Sequence, residues 1–249
     1  MNMEELTKMR KFRKITTLAV ALLFCISFSI NALAVNHIHD WTSDKGDGQA
    51  NGKSSGSGSI SSSGNQGTTS GTYNFGNGNL NINVTWNTSP ANSGFNNLQG
   101  GGWRTGTSSR VINYNVISYT FTSGGNGCAY LGLYGWATSP LTEYYIIEKW
   151  TNFSNNTGTS LGSYTSNGNT YNAFVENTSG PTINGTGTVK KLKSIRSPQI
   201  SIPSGNQRII FQDHANFWSS KGHPLGSHSY QAFILESYNG SGSANFIVW

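Results

Sequence analysis

The strongest constraint on this chain is an alternation of side chains in its middle. Residues 128–136 read Cys-Ala-Tyr-Leu-Gly-Leu-Tyr-Gly-Trp, and residues 140–150 read Pro-Leu-Thr-Glu-Tyr-Tyr-Ile-Ile-Glu-Lys-Trp. Successive side chains of a strand point to opposite faces. Two strands joined by a tight turn at Thr138-Ser139-Pro140 therefore sort these residues onto two surfaces. Ala129, Leu131 and Leu133 form a core face. Tyr130, Gly132, Tyr134 and Trp136 form the other, and rings with polar tips suit a groove for an amphipathic ligand. In the second strand Glu143, Tyr145 and Ile147 share a face. A carboxylate is a poor strand residue, and one flanked by Leu141, Tyr144, Tyr145 and Ile146 is a poor surface residue too. An edge-strand Glu facing water is the alternative.

Elsewhere, short Thr/Tyr/Val/Ile runs recur between Gly/Asn/Ser clusters, and helical periodicity is almost absent. That pattern belongs to an antiparallel sandwich or barrel, and the chain is long enough for one domain with a sizeable core. Leu80-Asn-Ile-Asn-Val-Thr-Trp86 is a half-buried strand. Further strands are expected either side of Ser166-Asn-Gly. One short helix is expected at Asp213-His-Ala-Asn-Phe-Trp218, with Asp213 as N-cap and Gly222 just past its end. His214 is expected to be a structural, hydrogen-bonded histidine. Residues 42–70 are mostly Gly, Ser, Asn and Thr and read as a linker or loose extension.

The N-terminus reads as an export signal. Arg10, Lys11, Arg13 and Lys14 precede an apolar run from Ile15 to Ile30, and Ala32-Leu33-Ala34 offers a small-x-small cleavage site. Cleavage after Ala34 gives a signal peptide at 1–34, a Gly/Ser-rich extension at 35–71 that includes the first strand at most, and a main domain at 72–249. The leader carries five of the sixteen Lys+Arg and two of the ten Asp+Glu, so the formal charge of +6 falls to +3 without it. The charge is then no argument for nucleic acid. Nothing after the leader is apolar for long enough to cross a bilayer, so an exported, extracellular monomer without a membrane contact is expected. Cys25 leaves with the leader, and Cys128 is then expected to have no intrachain partner. His37-Ile-His39 reads as a solvated tail, and no metal-ligand spacing is present.

Eight carboxylates remain after the leader: Asp40, Asp44, Asp47, Glu143, Glu148, Glu176, Asp213 and Glu236. Only Glu143, Glu148 and Glu236 lie in strongly apolar strand runs. Glu148 has the opposite parity to Glu143, so the two cannot share a groove. In Tyr230-Gln-Ala-Phe-Ile-Leu-Glu-Ser-Tyr238, the residues Tyr230, Ala232, Ile234, Glu236 and Tyr238 share a face, with Phe233 and Leu235 turned to the core. Glu143 and Glu236 are left as the pair that can act together.

At these residues the chain resembles a known family. Leu133-Tyr-Gly-Trp136 followed by Ser139-Pro-Leu-Thr-Glu-Tyr-Tyr145 is similar to the nucleophile region of glycoside hydrolase family 11, the small endo-β-1,4-xylanases. The Tyr230–Tyr238 strand resembles that family's acid/base strand, and Ser179-Gly-Pro-Thr-Ile-Asn-Gly-Thr-Gly-Thr188 resembles its thumb. The resemblance implies an all-β jelly roll of two packed, strongly curved antiparallel sheets with one short α-helix. It implies Glu143 as nucleophile and Glu236 as acid/base of a retaining xylanase, whose two carboxyls stand about 5–5.5 Å apart. Tyr134 and Tyr145 would hydrogen-bond Glu143 and the sugar, while Trp136, Tyr230 and Tyr238 would line the cleft. Pro181 and Ile183 take thumb-tip places. Asn96, seven residues before Trp103, takes the place of the residue that hydrogen-bonds the acid/base, and Trp41 that of a sugar-stacking Trp. The substrate implied is xylan or a xylo-oligosaccharide, with no cofactor and no metal. Trp249 falls at the end of the last expected strand, leaving no room for a C-terminal binding module.

The chain departs from the family pattern in the thumb's return strand. Asn177 stands where an Arg is usual, and Lys191, Leu192 and Lys193 replace Gln, Tyr and Trp. If Lys191 faces the cleft, its ammonium lies near Glu143 and favours the ionised carboxylate; a slip by one residue would send it to solvent. These changes motivate a second reading, a weakly active or non-hydrolytic xylan- or glycan-binding protein on the same scaffold. A third reading, an exported structural or adhesive β protein, is permitted by composition but leaves the Glu pair without a purpose.

Overall fold

The computed structural model describes residues 35–40, 55–64, 67–76, 79–87, 96–103, 105–153 and 158–249. Among the described residues the elements are β1 (Val35–Asp40), β2 (Ser55–Gly64), β3 (Gly67–Gly76), β4 (Asn79–Asn87), β5 (Asn96–Trp103), β6 (Val111–Thr138), β7 (Thr142–Thr151), β8 (Thr159–Ser166), β9 (Asn169–Thr182), β10 (Gly185–Arg196), β11 (Asn206–Ile210), α1 (Phe211–Ser220) and β12 (Ser227–Val248). The expected all-β architecture with one short helix is present.

Two long strands make the curvature. β6 has 28 residues and β12 has 22. They pair antiparallel almost throughout, from Ser227 opposite Thr138 to Val248 opposite Tyr114, with register shifts at three points. Their outer halves (114–123 of β6, 240–248 of β12) carry β4 and β11, and their inner halves (128–138 and 227–238) carry β5 and β7. One sheet, ordered β2-β3-β4-β12-β6-β7-β10-β9-β8, thus curls over itself without closing. The pairing is not wholly antiparallel as expected: β10 runs parallel to β7, and β1 parallel to β5. β10 reaches β7 only after the β8–β9 excursion, so its direction is set by that connection rather than by a hairpin turn.

The predicted parity holds across the β6–β7 hairpin. Leu131, Leu133, Tyr144 and Ile146 enter the main core with Phe233, Leu235, Phe211 and Trp218. Tyr130, Tyr134, Trp136, Tyr145 and Ile147 enter a second cluster on the concave side with Ala232 and Ile234. Glu148 falls on the main-core side, as its parity requires. It is fully buried and accepts hydrogen bonds from Tyr171 (2.8 Å), Tyr114 (2.6 Å) and the Arg196 guanidinium (2.9 Å). A buried charge needs such partners.

Two expectations change. Asp213 is not the N-cap. The cap residue is Ile210, which makes no side-chain cap, because β11 runs directly into the helix and Phe211 is drawn into the core. Asp213 sits in the first turn, where a carboxylate suits the helix dipole, and accepts a hydrogen bond from Ser166 (2.7 Å). Gly222 does follow the helix with φ +83°. Its N–H reaches Ser219 and the N–H of His223 reaches Trp218, so the last carbonyls are satisfied. Second, strand β2 and the start of β3 lie within the stretch read as loose, with β2 paired to β3 and β3 to β4. Backbone pairing asks little of the side chains once β4 offers an edge. Cys128 is disulfide-bonded in the full-length chain; Cys25, the other cysteine of the sequence, lies outside the described residues, and the expectation of an unpartnered Cys128 concerns the chain after the leader is removed.

His214 is structural, as expected. It is fully buried in α1, hydrogen-bonded to Tyr164, and burial pushes its pKa down to about 3. The folded state therefore keeps it neutral where the unfolded chain, near its ordinary value of 6.5, takes up a proton. Stability from this group is full above pH 6.5 and is lost as pH falls from about 6.5 toward 3. Urea titrations at pH 7 and pH 4.5 should show a loss at the lower pH that His214→Phe reduces; an equal loss in the variant would place the acid sensitivity elsewhere.

Candidate active site

The concave face is assembled by register. Trp136 of β6 stands opposite Glu143 of β7 and Tyr230 of β12; Tyr134 stands opposite Tyr145 and Ala232; Tyr130 stands opposite Glu236. β6 is thus the middle strand, and the two glutamates approach it from either side, on a diagonal. Both are buried, Glu143 at 0% exposure and Glu236 at 2%.

Each carboxylate is held by a tyrosine of β6. Tyr134 donates to Glu143 Oε1 (3.1 Å), and Trp136 Nε1 donates to the Tyr134 hydroxyl (2.5 Å). Tyr130 donates to Glu236 Oε2. Tyr145 lies between them, its ring 5.4 Å from that of Tyr134 and 5.8 Å from that of Tyr130. Burial is the main reason that Tyr130 and Tyr145 hold their protons well above the usual tyrosine range. The two carboxylates add to it: each of these tyrosines feels both Glu143 and Glu236. Glu143 and Glu236 are thus linked through the neutral hydroxyls of Tyr130 and Tyr145, which feel both.

Lys191 faces this site. Its backbone is opposite Glu143 in the β10–β7 ladder, and its Nζ lies 3.1 Å from Glu143 Oε2. The ammonium sits off the hydrogen-bonding direction of that oxygen, which has no directed hydrogen bond, so the contact is an attraction of charges rather than an aligned bond. The one-residue slip is excluded: Leu192 belongs to the main core on the other face. Lys193, on the same face as Lys191, is fully buried and paired with Glu176.

The remaining predicted residues are placed as follows. Tyr230 and Tyr238 are half-buried against the concave cluster, and the Tyr230 ring lies 6.1 Å from that of Tyr134. Trp136 is fully buried, with its N–H spent on Tyr134, so it braces the hydroxyl that holds Glu143. The thumb segment is the β9–β10 hairpin. Thr182 pairs with Gly185 around Ile183-Asn184, and Thr182 Oγ1 both donates to the Gly185 carbonyl and accepts from the Asn184 N–H. Ile183 packs against the concave cluster. Pro181 lies in β9 opposite Thr186, and Asn177 opposite Lys190. Asn96 opens β5 opposite Tyr238, two residues from the position that faces Glu236. Trp41 lies outside the described residues. Among the described residues no group of three or more His, Cys, Asp or Glu is arranged to hold a metal ion.

The sequence reading did not assign Tyr130 to Glu236 or Glu176 to Lys193. Parity put Tyr130 on the right face, but its partner depends on β12 lying beside β6. Glu176 was visible only as a residue beside the thumb.

The chain is similar to known proteins. The Endo-1,4-beta-xylanase Xyn11B of Cellvibrio japonicus is 42% identical over 162 residues, which is 63% of this chain and 44% of that protein. An endo-1,4-beta-xylanase of Phaedon cochleariae is 40% identical over 158 residues, 61% of this chain and 71% of that one. The chain thus spans less than half the length of the first of these relatives. The solved structure of the family 11 xylanase from Neocallimastix patriciarum superposes with a TM-score of 0.58 at 26% identity, over 77% of this chain and 94% of that one. The sequence pattern of glycosyl hydrolases family 11 matches residues 61–247, which include both glutamates, the thumb hairpin and the helix, and on that match the chain belongs to glycosyl hydrolase family 11.

Proposed function

We propose that this protein is an exported endo-1,4-β-xylanase that cleaves internal bonds of xylan with retention of configuration, acting as a monomer without a cofactor. The observation that carries the reading is the pair Glu143 and Glu236, each held by a β6 tyrosine and both felt by Tyr130 and Tyr145. Names of relatives support the substrate, and the leader at 1–34 supports export. Among the described residues no helix is long and apolar enough to cross a membrane.

In this reading Glu143 attacks the anomeric carbon, using the oxygen not committed to Tyr134. Glu236 first gives its proton to the leaving sugar oxygen and then takes one from the water that releases the glycosyl-enzyme. Tyr134, itself braced by Trp136, fixes the orientation of Glu143 before the sugar arrives, and such pre-organisation lowers the barrier without new reorganisation. Tyr230 and Tyr238 offer half-buried rings to the sugars, with Ile183 and Pro181 at the thumb tip. Asn96 is the proposed neighbour of Glu236, and Trp41 a proposed stacking residue.

Glu143→Gln and Glu236→Gln should each lower xylan hydrolysis by roughly three orders of magnitude or more while leaving the circular dichroism unchanged. The first reducing end formed by the parent enzyme should be β, read by proton NMR. Near-normal turnover in either variant would remove that residue from the mechanism. Tight xylan binding without any turnover by the parent would favour the glycan-binding reading.

A second expectation follows from Lys191. Its ammonium stabilises the free carboxylate of Glu143 more than a transition state in which that charge is partly lost, so it slows the first step. Lys191→Gln should raise kcat by about fivefold, for a coupling between close charges of ~1 kcal/mol. It should also move the acidic limb of the pH–rate profile upward. Unchanged rate and profile would show that the contact does not bear on the chemistry.

A further inference from the structure

Three charges besides Glu143 lie on the same face beside it, and their arrangement is specific. The ladders of β7, β10 and β9 put Glu143, Lys191 and Glu176 in one row, so Lys191 stands directly across from two carboxylates. Adjacent strands are only about 4.8 Å apart, and a lysine stem spans that distance to either side. One step along the same face of β10, Lys193 stands between Tyr145 and Phe174, where neither cross-strand neighbour carries charge. Its ammonium runs diagonally to Glu176 instead. Lys193 is buried completely, and the Glu176 side chain is 15% exposed. The four charges cancel, and the arrangement pairs Lys193 with Glu176 and Lys191 with Glu143.

We propose that Glu176 and Lys193 are positioning residues for the reaction: by occupying each other, they assign Lys191 to Glu143. The proposal rests on Glu143 being the nucleophile. Without Lys193, Glu176 draws Lys191 away from Glu143, and the nucleophile is held less firmly in its unreactive state. Without Glu176, Lys193 becomes a second ammonium whose nearest remaining carboxylate is Glu143, and the nucleophile is held more firmly. Removing both restores one ammonium to one carboxylate.

The pH dependence has a definite direction. Among the described residues, the charged and titratable groups facing Lys193 include Glu143 and Tyr145 from β7, Lys191 from β10 and Glu176 from β9; beyond them lie Tyr130 and Tyr134 of β6 and Glu236 of β12. Tyr130 and Tyr145 stay neutral, because burial raises them. Burial lowers Lys193 to about 8, against an upward pull from Glu176. Loss of Glu176 removes that pull, so Lys193 then gives up its proton at a lower pH than in the parent. The defect of a Glu176 variant is therefore greatest at acid pH and fades as pH approaches 8.

The test compares the full chain with Glu176→Gln, Lys193→Met and the double variant, measuring kcat and KM on xylo-oligosaccharides from pH 5 to 8.5. Lys193→Met should raise kcat roughly three- to tenfold and move the acidic limb upward, while Glu176→Gln should lower kcat by a similar factor with KM little changed, as coupled neighbours in a charge network do. The double variant should return to within about twofold of the parent, a rescue expected only of coupled residues. Losses in both single variants that simply add in the double would overturn the proposal, because a merely structural pair behaves that way. If a single variant does not fold, the decisive measurement is the Lys193 Nζ titration by nitrogen NMR in Glu143→Gln. Loss of the Glu143 charge removes its own upward pull on Lys193 and turns Lys191 toward Glu176, so Lys193 should lose its proton at lower pH than in the parent; an unchanged titration would sink the idea. Activity retained in Glu143→Gln would strike the nucleophile assignment itself, a result distinct from all of these.

Discussion

The pairing of β6 with β12 is the constraint on which the rest of the structure depends. Both strands run from one layer to the other, so their shared register fixes the curvature and the composition of both faces together. A slip by one residue would exchange the faces. Leu131, Leu133, Phe233 and Leu235 would turn to the cleft, and Tyr130, Tyr134 and Glu236 to the core. No such exchange is tolerable, since the main core would receive a carboxylate without its donors. The register shifts at His228/Tyr230, Tyr238/Gly240 and Asn245/Phe246 bracket the inner half of the ladder and lie within the outer half, where the strand must bend. Bulges increase local twist. Between the first two of these shifts the ladder is regular, and that is the portion carrying the acid/base candidate.

Three glutamates are buried in this sheet, and the way each is satisfied separates structure from chemistry. Glu148 has both oxygens engaged, one by Tyr171 and the other by Tyr114 and Arg196. A carboxylate so saturated has no lone pair well placed for a substrate. Glu143 has one oxygen bonded by Tyr134, and the other faces an ammonium that is not aligned with it. Glu236 accepts from Tyr130. Neutral hydroxyls orient a carboxylate without neutralising it, whereas a guanidinium fixes its charge for good. The same residue type thus serves as a brace on one face and as a reagent candidate on the other.

Much of this was legible in the sequence because parity is local. The alternation in 128–136, in 140–150 and in 230–238 determined which residues share a face, and of the carboxylates in strongly apolar runs only Glu143 and Glu236 were left as a pair. What the sequence did not disclose depends on which strand lies next to which. Tyr130 meets Glu236 because β12 flanks β6. Lys191 meets Glu143, and Glu176 comes within reach of both lysines, because β10 joins β7 in parallel and β9 on its other side. The helix start was misplaced for a related reason. Asp213 has the chemistry of a cap, but Phe211 is taken up by the core, and tertiary burial outweighs a capping bond worth about 1 kcal/mol. The Gly/Ser strand β2 has Ile60 as its one large apolar residue and so no pattern that could have announced it.

The return strand of the thumb shows how charge enters a buried face at all. One lysine placed alone among Tyr145, Ile147 and Phe174 would cost several kcal/mol. Lys191 and Lys193 are instead accompanied by Glu143 and Glu176, so the set is neutral. At 3.1 Å the gross attraction between Lys191 and Glu143 is about 5 kcal/mol at an effective dielectric of ~20. Most of it offsets the desolvation of the two groups rather than adding to stability. In the proposed reaction the part that matters is the change along it, because the carboxylate would give up charge to the sugar while the ammonium keeps its own. An interaction that stabilises the resting nucleophile more than the transition state works against rate. Because Lys193 keeps Glu176 occupied, Lys191 stays with Glu143, and in the proposed reading this ties the chemistry at β7 to a side chain two strands away.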